Sequence, residues 1–422
     1  MLSYLHAFHA GNHADILKHA ALIQLLKKLN QKEAPYTFFD THAGSGLYST
    51  QGEKARKTGE AARGVLALAE CASQTQNAGA ADQKASQEKN GGGQNLGHST
   101  DTGSSPKSGA DQKALQDLDG SGQQETDASL KSGGELPAAL LDYLNFVRPY
   151  LARDLYPGSP LIERAFLRPD CAHTICELHP AEFESLNDNC AAHLGLAKKS
   201  AQAQEGASGK LSQTQEWTAP NSSLATNTGS KTKNAPHTQI LKADGLKTLI
   251  AQTPPKIKRG AVLIDPSYEE ASDYEAVKKT VIAVHKKWSV GIIMIWYPLL
   301  AHRAAEIENM LESIIAAAKV QNANTNILRA EFCVDAPQSH IEMSLKENAA
   351  AKAAAAGMSN ALGSTNKPGP STPPSNAPRL YGSGILVVNA PWKLDEELDA
   401  ALSFLSRVPG LATEASYSVE LL

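Results

Sequence analysis

Apolar and polar positions along the chain alternate between two rhythms, one helical and one strand-like. Residues 13–31, HADILKHAALIQLLKKLNQ, put Ile16, Leu17, Ala20 and Leu25 on one side of a helix, with Asn12 at its N-cap. PYTFFDTHAGSG follows, a short β-rich run ending in an acid and a glycine loop. Helices are predicted near 52–71, over LPAALLDYLNFVRPYLA, and after Pro157-Gly158, where Ser159 reads as the cap and Pro160 as the first helical residue. HTICEL, TQILKADG and GAVLIDPSY then read as strands, separated by the helices PAEFESLNDNCAAHL and LKTLIAQ. The helix SDYEAVKKTVIAVHKKW opens with Ser272 and Glu275 at capping-box spacing. VGIIMIWYP, NILRAEFCVD and GSGILVVNAPW are further strands. Such alternation predicts an α/β fold, a mainly parallel sheet with helices on both faces.

Three stretches break the rhythm. Residues 73–134 hold no Val, Ile, Met, Cys, Phe, Trp or Tyr; 197–236 hold one Trp and no Val or Ile; 345–378 are rich in Ala, Pro, Ser and Asn. Segments of this composition bury too little apolar surface to offset their ordering entropy. They are expected to be disordered low-complexity insertions. About two thirds of the 422 residues remain, enough for one large domain over 1–422 with a small helical subdomain set within 52–160.

Charge and cysteine content narrow the function. The net charge is −4, which argues against a long grip on nucleic-acid backbone. It leaves room for a local basic patch from Lys18, Lys27, Lys28, Lys32, Lys256, Lys258 and Arg259. The five cysteines are scattered without a CxxC pair, the pattern of a reducing compartment. No signal-peptide pattern is present, and the longest apolar run, VGIIMIWYPLLA, is too short to span a bilayer.

Polar residues collect where predicted strands end. The first strand ends in Asp40 and the loop Ala43-Gly44-Ser45-Gly46, the second in Glu177, the third in Asp244-Gly245 and the fourth in Asp265. Each has a plain structural explanation: a tight turn, an acid at a helix start, an N-cap. Together they line one sheet edge, where α/β folds bind nucleoside-bearing ligands. A carboxylate at the second strand end can accept both ribose hydroxyls, and one at the third can accept an adenine amino group. The glycine loop lacks GxGxxG, which disfavours a dehydrogenase.

At these residues the chain resembles a known family. MLSYLHAFHAGNHADILKH, DTHAGSGLY, YPGSPLI, ELHP, KADG and NAPWKL, in that order, are similar to the bacterial 23S ribosomal RNA adenine-N6 methyltransferases. Asp265-Pro266-Ser267-Tyr268 stands where their Asp-Pro-Pro-Tyr motif lies, and Asn389-Ala390-Pro391-Trp392 where they carry Asn-Pro-Pro-Trp. The resemblance implies a class I methyltransferase, Rossmann-like sheet of seven strands with the last antiparallel. It implies S-adenosyl-L-methionine as cofactor, contacted by Lys18, His19, His42, Ser159, Glu177, Asp244, Gly245 and Asp265. It further implies Asp265 as the catalytic residue and Tyr4 and His6 as contacts to the RNA. The expected setting is a cytoplasmic monomer acting on 23S ribosomal RNA free of ribosomal proteins, with no membrane and no metal. A metal site among His6, His9, His13 and His19 lacks a completing cysteine or paired acid.

The motif has a chemical logic. Adenine N6 is a weak nucleophile because its lone pair is delocalised into the ring. Asp265 and the Pro266 carbonyl can accept both amino hydrogens and localise that lone pair. Proline restricts its own φ and the residue before it, so the acceptors stay aimed. Tyr268 is expected to stack the base, and the target base must leave its stack to reach the pocket. Two readings stay open beside this one: a DNA adenine-N6 methyltransferase, and a non-catalytic RNA-binding or cofactor-sensing module.

Overall fold

The computed structural model describes residues 6–75, 135–193, 237–335 and 380–422. The expected insertions lie outside these residues, except that 73–75 continue a helix. Tyr4 also lies outside them. Two compact units are distinguished, Met1–Glu70 with Pro137–Leu422, and Cys71–Leu136. The elements and site residues below belong to the first.

The chain opens with a short 3-10 turn, His6–Phe8, and helix α1, His13–Asn30. Asn12 caps α1 as expected, its side chain accepting from the Asp15 N–H at 3.0 Å. Strand β1, Thr37–Asp40, leads through the glycine loop to β2, Leu47–Ser49, and α2, Glu53–Thr58. A π-helical turn at Ala62–Leu66 and α3, Ala138–Leu151, precede β3, Leu155–Pro157, and α4, Ser159–Phe166. Then come β4 (Ala172–Cys176), α5 (Pro180–His193), β5 (His237–Leu241), α6 (Gly245–Gln252), β6 (Gly260–Ile264), α7 (Ala271–Lys287) and β7 (Ile292–Leu299). The chain closes through α8 (Ala304–Gln321), β8 (Ile327–Cys333), β9 (Gly382–Val388), α9 (Leu394–Leu405) and β10 (Ser416–Leu421).

Eight strands form one sheet in the order β10-β8-β9-β7-β6-β1-β4-β5. β5, β4, β1, β6 and β7 run parallel, while β9 slots antiparallel between β7 and β8. These are the seven expected strands with the seventh reversed. An eighth, β10, pairs antiparallel on the outer edge of β8. Its residues, SYSVEL, are half-exposed to exposed throughout, so no buried face marks it in the sequence. β2 and β3 form a separate antiparallel pair, register Tyr48↔Tyr156.

On one face, α7 and α8 pack Val277, Val281, Leu311 and Ile314 against Val262 and Ile293 of the sheet. The other face is covered by α1, which contacts β9, α3, α4 and α9. α1 is buried on every side, not along one stripe: Leu22, Ile23, Leu25 and Leu26 are all 0 % exposed. A helix surrounded by protein is apolar all round, and each such leucine or isoleucine contributes about 1.5–3 kcal/mol. Against that background Asp15, Lys18 and His19, all buried on the same helix, stand out.

Two helix starts differ from expectation. α7 begins at Ala271, so its capping box is Glu270 with Asp273, not Ser272 with Glu275. Glu275 instead pairs with Lys278 and Lys279. Helix α4 is capped by Gly158; the Ser159 hydroxyl turns inward to a carboxylate.

Candidate active site

Parallel strands β5, β4, β1 and β6 bring their carboxyl ends to one edge, so Asp244, Glu177, Asp40 and Asp265 share it. The glycine loop leaves β1 with Gly44 at φ +60°. A Cβ on Gly44 would lie 2.2 Å from the Tyr48 hydroxyl, so only glycine fits there. The Gly44 N–H donates to Glu177 Oε2 at 2.7 Å and the His179 N–H to Oε1 at 2.6 Å. Burial raises the Glu177 pKa against those two bonds. Asp244 caps α6 through the Lys247 N–H and pairs with the Lys247 ammonium at 2.9 Å. Burial works against it, but the Lys247 contacts hold its pKa down. Gly245 packs so tightly on Thr41 that a Cβ would meet the Thr41 carbonyl oxygen at 2.0 Å. Thus Glu177 and Asp244 do serve as loop and helix anchors, and they do so at the shared edge.

Behind the glycine loop lies a buried polar network. Asp40 accepts from the Ser159 hydroxyl at 2.8 Å and from the His42 N–H at 3.0 Å. Glu163, 0 % exposed, bonds His173 Nε2 at 2.8 Å, and His173 Nδ1 meets the Thr238 hydroxyl at 3.2 Å. Burial and the neighbouring Glu163 push Asp40 well above the usual carboxylate range. Burial likewise raises Glu163 to about 8 and lowers His173 to about 3. His42, on the loop itself, bonds the Thr41 hydroxyl at 2.8 Å and is lowered by burial to about 4.

The centre of the edge is an ionic chain. Lys18 Nζ donates to Asp265 Oδ2 at 2.6 Å and pairs with Asp15 Oδ1 at 2.9 Å. Asp15 Oδ2 also accepts from the Gly11 N–H at 2.8 Å and meets His6 Nε2 at 2.9 Å. Burial disfavours every charge here, yet the mutual contacts outweigh it for two of the three. Asp15 is held well below the carboxylate range by His6, Lys18 and His19, and Lys18 is raised by Asp15 and Asp265. Asp265 is raised by burial, against the pull of Lys18. His19, lowered by burial to about 3, bonds Tyr156, whose hydroxyl meets that of Tyr143 at 3.0 Å. His9 pairs with Glu60 at 2.9 Å, a different carboxylate from the Asp15 that His6 meets.

Tyr268 departs from its expected role. It adopts a left-handed backbone, φ 50°, which turns the ring inward between α7 and β7. There it packs against Tyr274 at 4.6 Å and Trp296 at 6.1 Å, and its hydroxyl donates to the Trp296 carbonyl. At 3 % exposure it supports the loop and offers no open stacking face. Trp296, half-buried with Lys18 Nζ 5.8 Å from its ring centroid, is the aromatic beside Asp265 that retains surface. The sequence reading missed Trp296, Asp15, Asp40's partner Glu163, and His173. A polar residue on an otherwise apolar helix was the available signal for Asp15.

The chain is similar to known proteins over nearly its whole length. A family model described as "Ribosomal RNA large subunit methyltransferase D, RlmJ" matches residues 33–81 and 213–350. "Ribosomal RNA large subunit methyltransferase J" of Escherichia coli (strain K12) is 25% identical over 408 residues, 96% of this chain and 93% of that protein. Its namesake in Haemophilus influenzae is 25% identical over 426 residues, 100% of this chain and 98% of that one. The crystal structure of protein LPL1258 from Legionella pneumophila, family DUF519, superposes with a TM-score of 0.56 at 20% identity, covering 98% of both chains. That likeness bears on the fold alone.

Proposed function

Because the chain belongs to the large-subunit ribosomal RNA methyltransferase family, we propose that it methylates the N6 amino group of an adenine in 23S ribosomal RNA. The observation that carries the reading is the Asp265–Lys18–Asp15 chain at the end of β6, beside a carboxylate-lined glycine edge. The donor in this reading is S-adenosyl-L-methionine, which supplies an electrophilic methyl on a sulfonium. The residues fit it: Glu177 and Asp244 would accept from ribose hydroxyls and an adenine amino group, and the turn at Gly44 has no room for a Cβ beside the Tyr48 hydroxyl. His42 and Ser159 flank the same loop through Asp40. Among the described residues no helix is long and apolar enough to cross a membrane. We read the protein as a cytoplasmic monomer acting on RNA free of ribosomal proteins.

In this mechanism Asp265 and the Pro266 carbonyl accept the two hydrogens of the adenine amino group. That interaction concentrates the lone pair on N6 and aims it. With the donor bound, its sulfonium would supply the methyl and leave as a neutral thioether, and the Asp265 carboxylate would take the proton that N6 gives up. Lys18 favours the ionised form of Asp265 against its burial, so that negative charge would be in place before positive charge develops on N6. Much of the acceleration comes from holding the two reactants in line.

Methyl incorporation from labelled donor into deproteinised 23S RNA tests this. Wild-type protein is expected to incorporate label, and Asp265→Ala to lose about 10²- to 10³-fold in kcat. No incorporation by folded wild type overturns the reading, and preference for duplex DNA in the same assay replaces it with the DNA enzyme.

A further inference from the structure

Asp15 meets the Lys18 ammonium that also pairs with Asp265, and no step of the proposed mechanism uses it. It is 1 % exposed and sits in the first turn of α1. Its backbone is fixed by the Asn12 cap, and its carboxylate by the Gly11 N–H, His6 and Lys18. Resting on the methyltransferase reading, we propose that Asp15 is a positioning residue for the transfer: it shares the charge of Lys18, so that Lys18 holds Asp265 in place without cancelling its negative charge.

What Asp15 contributes is net charge. Both reactants in this reading place positive charge at the site, the sulfonium from the start and the amine as it is methylated. A lysine 2.6 Å from Asp265 and with no other partner would make a neutral pair, which gives little attraction to either. Asp15, 2.9 Å from the same ammonium, makes the cluster net negative by one charge when His6, 2.9 Å from its other oxygen, is neutral. With side-chain exposures of 5 % at Lys18, 2 % at Asp15 and 14 % at Asp265, that remaining charge is screened less than one at the open surface. Lys18 is held between two carboxylates, so its ammonium is also fixed in space, and Asp265 inherits that order. The groups that bear on Asp265 are Lys18 and Asp15 from α1, His6 from the preceding turn, and Tyr268 on its own loop.

Asp15→Asn keeps the shape and removes the charge. At saturating donor and RNA, kcat is expected to fall about 10- to 100-fold, the scale for losing a partner that orients an active-site group. KM for RNA should stay near wild type, while donor affinity by calorimetry should fall, because the sulfonium then faces a neutral pair. The acid limb of the kcat–pH profile should move to lower pH, because Asp15's charge raises the Asp265 pKa and its removal lets Lys18 act undivided. A merely structural Asp15 would not move that limb.

Asp15→Glu keeps the charge and should transfer faster than Asp15→Asn. Should Asp15→Asn not fold, a folded Asp15→Glu variant within about tenfold of wild-type kcat, the low end of such losses, supports the proposal. A folded Asp15→Glu variant without transfer overturns it. A wild type that transfers no methyl indicts the functional reading instead; an active wild type matched by Asp15→Asn indicts only this inference.

Discussion

Two carboxylates end adjacent parallel strands; burial raises the pKa of both, but a lysine pulls back on one and a second acid pushes the other further up. Asp40 closes β1 and Asp265 follows β6, the two strands being direct neighbours in register. Asp265 faces a lysine that is itself shared with Asp15. Asp40 faces a hydroxyl, an N–H and a second acid, Glu163. The first cluster is ionic and holds an uncancelled negative charge where chemistry is proposed. The second is held together by protons and hydrogen bonds, and makes a neutral floor under the glycine loop. What decides the job is not the aspartate but whether a cation or a proton compensates it.

That contrast can be broken by substitution. The largest effect is expected from Lys18→Met, which leaves Asp15 and Asp265 buried without their cation. Removing one partner of a buried pair costs about 3–5 kcal/mol, measurable by chemical denaturation. A loss no larger than that of a surface lysine would show the cluster to be solvated and the contrast false.

A smaller, pH-dependent effect is expected from Glu163→Gln. The folded-state pKa of Glu163 is raised to about 8, so the folded protein binds a proton that the unfolded chain releases. Its contribution to stability is therefore full below the ordinary glutamate pKa and lost as pH rises through about 8. The slope is at most about 1.4 kcal/mol per pH unit. Thermal denaturation of the Gln variant between those limits should lose this slope. An unchanged slope would assign the shared proton elsewhere.

Asp40→Asn should matter least for stability. It exchanges a proton-sharing acid for a neutral amide of the same shape, at about 1 kcal/mol or less, one hydrogen bond's worth. A penalty as large as that of Lys18→Met would mean that Asp40 is ionised and the floor charged.

Much of this arrangement is legible in the chain, because strand ends and acids are local patterns. Asp40, Glu177, Asp244 and Asp265 are each found at the end of an apolar run, and Asn12 caps its helix as its residue type suggests. What escapes the sequence depends on backbone twist or on distant partners. The inward turn of Tyr268 follows from one positive φ, which an Asp-Pro-Ser-Tyr string does not announce. The pairing of Lys18 with Asp265 spans 247 positions, and that of Ser159 with Asp40 spans 119. No periodicity encodes such separations. β10 escaped because both its faces keep some solvent, which erases the alternation a half-buried strand would show.

The slot that β9 fills, between β7 and β8, carries a consequence for how the protein is made. Its neighbours on both sides precede it in the chain, and the same strand also meets α1 near the other end. Until residues 382–388 leave the ribosome, β7 and β8 have no common partner and α1 lacks part of its floor. Pairings of such sequence separation raise contact order and slow folding. The pocket built on α1 and β6 is thus a late product of translation, and a chain released before β9 would carry every proposed site residue without the platform that brings them together.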